Sequence, residues 1–167
     1  MLEELLDLSG IGRGRVRLRW VSAAEGQIFA DYVTQLSAEV AQLGPFDASQ
    51  FSLQLAAVGK VLNSSRTRWL VGMDRQITER ENVYHRRLDE AAYEQLLKST
   101  CETEYQKALV LELLGEGPLS VREISARSGL AVYTVSQRLT DVEKAGAVEL
   151  YGYEGKTPKF SRLLNTL

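Results

Sequence analysis

The sequence predicts a mainly α-helical protein with a small β component, and three observations support this fold class. Several stretches repeat apolar residues at three- and four-residue spacing, which is typical of amphipathic helices. Residues 15–21 instead alternate arginine with apolar residues, which is typical of a strand with one buried face. The last third of the chain orders its elements as helix, short extended piece, helix, turn, helix and hairpin.

The bulk composition narrows the function classes. The chain has 167 residues, of which 44% are hydrophobic, and a net charge of -2. This length provides for one ordinary core or two small ones, and the near-neutral charge gives no general attraction to nucleic acid or anionic membranes. No apolar run approaches the roughly 18–20 residues of a membrane span, and the acidic N-terminus is unlike a secretion signal. We therefore expect a soluble, cytoplasmic protein.

The first 45 residues are predicted to form a helix, a strand and a second helix. Residues 2–8 form the first helix, residues 15–21 the strand, and Ser22 with Glu25 has the spacing of a capping box that begins the second helix. That helix ends at Gly44-Pro45. Its predicted buried face consists of Ile28, Phe29, Tyr32, Val33, Leu36, Val40 and Leu43. The strand has no neighbouring strand in this part of the sequence. Two interpretations of Ser22 and Glu25 are open. Either they only cap the helix, or the helix N-terminus also contacts an anionic cofactor or partner.

Residues 46–101 are predicted to be a helical and basic connector. A helix over residues 47–65 begins at Asp47 and buries Phe51, Leu55, Val58 and Leu62. The basic stretch 66–89 follows, and seven Lys and Arg residues lie between positions 60 and 87. Residues 68–73 within it are apolar, and residues 78–87 are polar and loop-like. This segment either lies on an acidic partner or a nucleic-acid backbone, or is a connector whose arginines keep it solvated. Neither His85 nor Cys101 has a second residue of its kind, which disfavours a metal site, and we expect both to be structural.

Residues 102–167 are predicted to form one small domain. Residues 102–115 form a helix, and Pro118-Leu119-Ser120 is a short extended piece. Ser120 with Glu123 is again a capping box, and the helix that it begins leads through a turn at residues 129–132 into a helix ending at Gly146. Two strands around a Gly-Lys-Thr-Pro turn complete the chain. This order resembles small prokaryotic winged helix-turn-helix modules.

The second helix of this motif presents polar side chains outward, as a DNA-recognition helix does. The outward residues are Tyr133, Thr134, Gln137, Arg138 and Asp141. Gln137 and Arg138 are suitable base readers, and Lys156 and Lys159 in the wing could meet phosphates, so the DNA-binding residues would be Thr134, Gln137, Arg138, Lys156 and Lys159. However, residues 116–167 contain seven Lys and Arg against six Asp and Glu. Because phosphate neutralisation provides most of non-specific DNA affinity, this balance favours a winged helix used for protein docking, with DNA binding as the alternative.

Residues 15–45 resemble the C-terminal end of the delta subunit of methyl-viologen-reducing hydrogenase, an iron–sulfur subunit associated with heterodisulfide reductase. The matching positions are Ser22, Ala23, Glu25, Gly26, Leu43, Gly44 and Pro45. With the leader before the strand, the resemblance covers residues 1–45. The cysteine-rich region that holds the cluster in that family has no counterpart here, since Cys101 is the only cysteine. The resemblance therefore implies no cofactor in this chain, and iron–sulfur and flavin groups in partner subunits.

Two functions follow as hypotheses. The first is a non-catalytic accessory or docking subunit, or a subunit fragment, of a heterodisulfide-reductase or hydrogenase-type electron-transfer complex. Its missing strands would lie on a separate polypeptide, be lost from a split gene, or be replaced by a partner subunit, and its strand would complete that partner's sheet. The partner-binding residues would be Arg15, Arg17, Arg19, Ser22 and Glu25.

The second hypothesis is a winged-helix transcriptional regulator. Self-association is a further possibility, in which two copies pair residues 15–21 across a two-fold axis. No catalytic constellation supports an independent enzyme.

Overall fold

The computed structural model describes residues 1–163, and this part of the chain confirms a mainly α-helical fold with a small β component. The helices are α1 (Leu2–Leu8), α2 (Gly26–Leu43), α3 (Ser52–Asn63), α4 (Ser65–Gly72), α5 (Asp74–Thr78), α6 (Glu90–Leu114), α7 (Val121–Ser128) and α8 (Val132–Lys144), and the strands are β1 (Val148–Glu154) and β2 (Thr157–Arg162). Single 3-10 turns occupy Arg13–Arg15 and Ala48–Phe51. None of the helices described is both long and apolar enough to cross a bilayer.

Helix α6 is the central element of the fold. It begins after Asp89, whose Oδ1 accepts a hydrogen bond from the Ala92 N–H at 2.8 Å, and its 25 residues correspond to a length of about 37 Å. The sequence predicts a helix from residue 102 and a domain boundary between residues 101 and 102. The helix instead runs unbroken through both positions, because Asp89 begins it about three turns earlier.

Two hydrophobic clusters lie along α6. Its middle part buries Cys101 and Tyr105 against α1 and α3, where Leu5, Val58 and Val61 are also buried. Its second half buries Val110, Leu113 and Leu114 against α7, α8 and β1, whose contributions are Ile124, Val135, Leu139, Val142 and Val148. Leu53 and Leu130 pack against both clusters. The two clusters are therefore joined through α6 and these two leucines.

The predicted winged helix-turn-helix is confirmed in order and in detail. Ser120 Oγ accepts from the Glu123 N–H while the Glu123 carboxylate accepts from the Ser120 N–H, so the predicted capping box is formed. Gly129 ends α7 with φ 74, the left-handed conformation that glycine adopts without strain. Strands β1 and β2 pair antiparallel around a turn at Gly155 and Lys156, and Leu119 forms a further bridge with Phe160.

The structure corrects the prediction of a strand at residues 15–21. Residues 13–15 form a 3-10 turn, and Val16 after it has extended backbone dihedrals. Residues 16–22 form no helix and no ladder with any other described residue. The reason is the one that the sequence indicates: a strand requires a neighbour. The only sheet in the described part of the chain is the β1–β2 hairpin.

The connector is more helical than predicted. Ser64 Oγ accepts from the Thr67 N–H at 3.1 Å and begins α4, which overlaps an apolar stretch for which the sequence predicts no helix. Residues 79–89 are non-helical, in agreement with the loop predicted over residues 78–87. In α3 the buried residues are Ala57, Val58 and Val61, whereas Leu55 is exposed. The buried face of α3 is therefore rotated from the predicted one. Val58 is the one residue that is both predicted to be buried and found buried.

Candidate docking surface and winged-helix face

Three arginines hold the extended segment 16–22 against α2. Arg15 donates to the Leu43 and Gly44 carbonyls at 3.2 and 3.1 Å. These carbonyls end the helix, where a cation is favourable. Its guanidinium also lies 5.1 Å from the centre of the Phe46 ring.

The next two arginines reach successively earlier turns of the same helix. Arg17 lies 3.6 Å from the Glu39 carboxylate, and the Arg19 guanidinium lies 5.6 Å from the centre of the Tyr32 ring. A rise of about 3.3 Å per extended residue and about 1.5 Å per helical residue matches these contact points within a few ångströms. The segment therefore runs antiparallel to α2, with its arginine side on the helix.

The apolar side of the segment faces away from α2. Val16, Leu18 and Trp20 are 37%, 70% and 89% exposed. The alternation in the sequence is thus real, but the face that the pattern predicts to be buried is the one left open. Arg15, Arg17 and Arg19, predicted to bind a partner, are engaged within the chain.

Helix α2 presents a second apolar surface. Among its 18 residues none is buried, and Phe29 is 60% and Val33 47% exposed. A groove of about 210 Å³ lies between α2 and the extended segment, lined in part by Arg19, Phe29 and Leu36. We refer to the exposed apolar side chains of this region as the N-terminal apolar surface; its members are Val16, Leu18, Trp20, Ile28, Phe29, Tyr32, Val33, Val40 and Leu43.

Half of the capping box predicted at Ser22 is formed. The Glu25 carboxylate accepts from the Ser22 N–H at 2.8 Å, but the Ser22 hydroxyl is approached by the Ala24 N–H, at 3.4 Å, and not by that of Glu25. Glu25 is itself the residue that precedes the first turn of α2. Ser22 therefore orders the turn before the helix and does not cap it.

The predicted base-reading residues lie on α8 with unequal access. Tyr133 is 72% exposed, and its hydroxyl accepts from the Gln137 amide at 2.8 Å. Thr134 lies on the same helix and is half-buried. Arg138 donates to Asp141 Oδ2 at 2.9 Å, and its side chain is only 17% exposed. Tyr133 and Gln137 are the exposed residues of this face.

In the wing, Lys159 does not face solvent as the sequence suggests. Its Nζ lies 2.6 Å from Glu123 and 2.9 Å from Glu154, and its side chain is 14% exposed. Hydrogen bonds from Lys159 and Ser120 lower the pKa of Glu123 to about 2, and the Glu123 carboxylate in turn raises the pKa of Lys159. Lys159 is therefore a structural clamp between the wing and α7, whereas Lys156 in the turn is exposed.

Side chains of the basic connector form ion pairs within the chain, and His85 and Cys101 differ in exposure. Arg66 pairs with Glu104 at 3.4 Å, and His85 lies in an exposed loop 3.3 Å from the Glu81 carboxylate. Cys101 is fully buried, and burial raises the pKa of its thiol. Nowhere in residues 1–163 do three or more His, Cys, Asp or Glu side chains form a group that could hold a metal ion.

Comparisons with known proteins match the two ends of the chain separately. Residues 1–44 match the model of the family "Methyl-viologen-reducing hydrogenase, delta subunit", and residues 95–150 match that of the DprA winged helix domain. Both resemblances drawn from the sequence are thereby confirmed. An F420-non-reducing hydrogenase iron-sulfur subunit from Archaeoglobus profundus is 46% identical over 46 residues. That match spans 28% of this chain and 34% of the relative's length. No solved structure matches the chain.

Proposed function

We propose that this chain is a non-catalytic accessory subunit that docks onto a hydrogenase-type electron-transfer complex of the heterodisulfide-reductase class. One observation carries the proposal: the segment that matches the delta-subunit family is also the segment whose apolar surface is uncovered. Large exposed apolar surfaces are typical of protein–protein interaction sites. Iron–sulfur and flavin groups belong, on this proposal, to the partner subunits.

The winged helix serves as a second docking element in this proposal. Three of its cations, Arg127, Arg138 and Lys159, are ion-paired within the chain. Their charge is therefore partly unavailable to phosphate, which weakens the electrostatic part of DNA binding.

The experiment is affinity purification from the native source, with iron and flavin assayed in the eluate. We expect stoichiometric iron–sulfur and flavoprotein partners with the unaltered chain, and their loss with Phe29→Asp. The matched control is Val83→Asp, since Val83 is 87% exposed in the connector loop and lies outside the N-terminal apolar surface. Unaltered recovery of the partners with Phe29→Asp would contradict docking through this surface.

The alternative function, a DNA-binding regulator, is favoured by one observation, the open Tyr133 and Gln137 on the second helix of a winged-helix fold. Arg138 is unsuitable for testing it, because a glutamate there would repel Asp141 and destabilise α8. Gln137→Ala and Lys156→Glu alter exposed positions instead. Elution of the chain with DNA but without iron or flavin, and release of that DNA by both substitutions, would establish the regulator in place of the docking protein.

A further inference from the structure

We propose that residues 16–21 form an edge strand that accepts, in trans, a carboxylate-bearing β-strand from a different protein. This inference rests on the proposed function, since it specifies how the docking protein binds its partner. Val16 has extended backbone dihedrals, and the contacts of Arg15, Arg17 and Arg19 with successively earlier turns of α2 require the segment to run nearly straight. The backbone groups of residues 16–22 form no ladder within the described part of the chain. An unpaired edge of this kind is a template for strand addition.

Helix α2 covers one face of this strand in the manner of an α/β layer. The arginine contacts fix the strand antiparallel to the helix, so that the segment has lost much of the freedom that strand addition would otherwise cost. Leu18 and Trp20 form the opposite face and are open. A partner strand placed beside residues 16–21 would extend this apolar face.

A second copy of the chain does not fit this edge. Symmetric antiparallel pairing of residues 15–21 places arginine opposite arginine, because facing residues share one side of the ribbon. Like charges directly opposite are destabilising. The two α2 helices would also lie on one face above strands about 4.8 Å apart, whereas packed helices need about 8–10 Å.

Charge complementarity indicates the chemistry of the partner strand. Residues 11–24 contain four arginines and no acidic residue. Arg13 pairs with Asp7 and Arg17 with Glu39, while Arg15 and Arg19 have no carboxylate partner among the described residues. A partner strand with carboxylates on the α2 side would pair with Arg15 and Arg19. Apolar residues on its other side would extend the apolar face of Leu18 and Trp20.

The probe is a synthetic eight-residue peptide of alternating glutamate and valine, added to the full chain carrying Trp69→Phe. Trp20 is then the only tryptophan and is 89% exposed. We expect a blue shift of its emission and at least tenfold slower amide exchange within residues 16–21. A lysine–valine peptide of the same length should bind at least tenfold more weakly. The absence of both signals at millimolar glutamate–valine peptide, or equal binding of the two peptides, would overturn the proposal.

Proline variants test whether the backbone carries the binding. The N–H groups of Leu18 and Val21 point to opposite edges of the segment, so one of Leu18→Pro and Val21→Pro should weaken peptide binding at least tenfold. Leu18→Ala and Val21→Ala keep their N–H groups and are the controls. Full binding by both proline variants, or a concentration-dependent homodimer in sedimentation that either proline abolishes, would also overturn it. None of these outcomes depends on recovery of the iron–sulfur complex, so failure here is distinct from failure of the proposed function.

Discussion

Single residues hold the winged helix together where its elements meet. Ser120, Glu123 and Lys159 connect the start of α7 to β2 through hydrogen bonds of 2.6–3.3 Å. The capping box could be predicted from the sequence because its two residues are three positions apart. The clamp to Lys159 could not, because it joins positions 36 residues apart and depends on how the hairpin folds back.

Loss of the Ser120 cap should destabilise the domain. Ser120 is 5% exposed, and Ser120→Ala removes the acceptor for the Glu123 N–H. We expect the free energy of unfolding in urea to fall by about 1 kcal/mol. Thr140→Ala, a less buried position within α8, is the control and should change it by less than about 0.5 kcal/mol. Equal effects of the two substitutions would mean that the cap contributes nothing specific.

The Glu123 clamp should give the stability of the domain an acid-dependent part. The pKa of Glu123 is lowered from 4.5 to about 2 in the fold, so its stabilisation is complete above pH 4.5 and is lost as pH falls from 4.5 to 2. Glu123→Gln should therefore be less stable than the unaltered chain at pH 7 and approach it near pH 2. Urea unfolding at pH 7, 4.5 and 2.5 measures this, with the exposed Glu143→Gln as the control. A difference that does not change with pH would contradict the clamp.

Among whole elements, those with both local signals and a packed neighbour could be predicted from the sequence. Helix α7 begins at a capping box and ends at a glycine turn, and α8 has an apolar stripe (Val135, Leu139 and Val142) that is buried as predicted. The N-terminal alternation and the stripe of α2 are equally regular, yet both faces are open. Periodicity indicates which face is apolar but contains no information on whether a neighbour covers it.

The length of α6 is a prediction that substitution can test. Glu102 is exposed and lies in the interior of a helix that begins at Glu90. Glu102→Gly should therefore be less stable than Glu102→Ala by about 1 kcal/mol, the interior cost of glycine. If Glu102 instead preceded the first turn of a helix, glycine would be the better capping residue and Glu102→Gly would be at least as stable as Glu102→Ala. Thermal and urea unfolding of the two variants distinguish these cases, and both lack the Glu102 hydrogen bond with Gln106 equally.

The described part of the molecule consists of a core that is continuous through α6 and, outside that core, helix α2 with the segment 16–22. Both clusters share α6, Leu53 and Leu130, so the helical body has no internal division at which to unfold separately. Helix α2 contributes no buried residue to either cluster. Local stability follows buried contact, and α2 should therefore open without global unfolding.

Native-state hydrogen exchange should separate these two parts. Leu5 and Leu113 are 0% and 2% exposed and lie in different clusters. Leu5→Ala and Leu113→Ala should each cost about 2–5 kcal/mol and lower the protection of α3, α6 and α8 together. The amides of α2 should exchange quickly in the unaltered chain and in both variants, because their opening does not break either cluster. Separate loss of protection in α3 and α8 would mean that the clusters unfold independently, and strong protection of α2 in the isolated chain would mean that its apolar face is already covered.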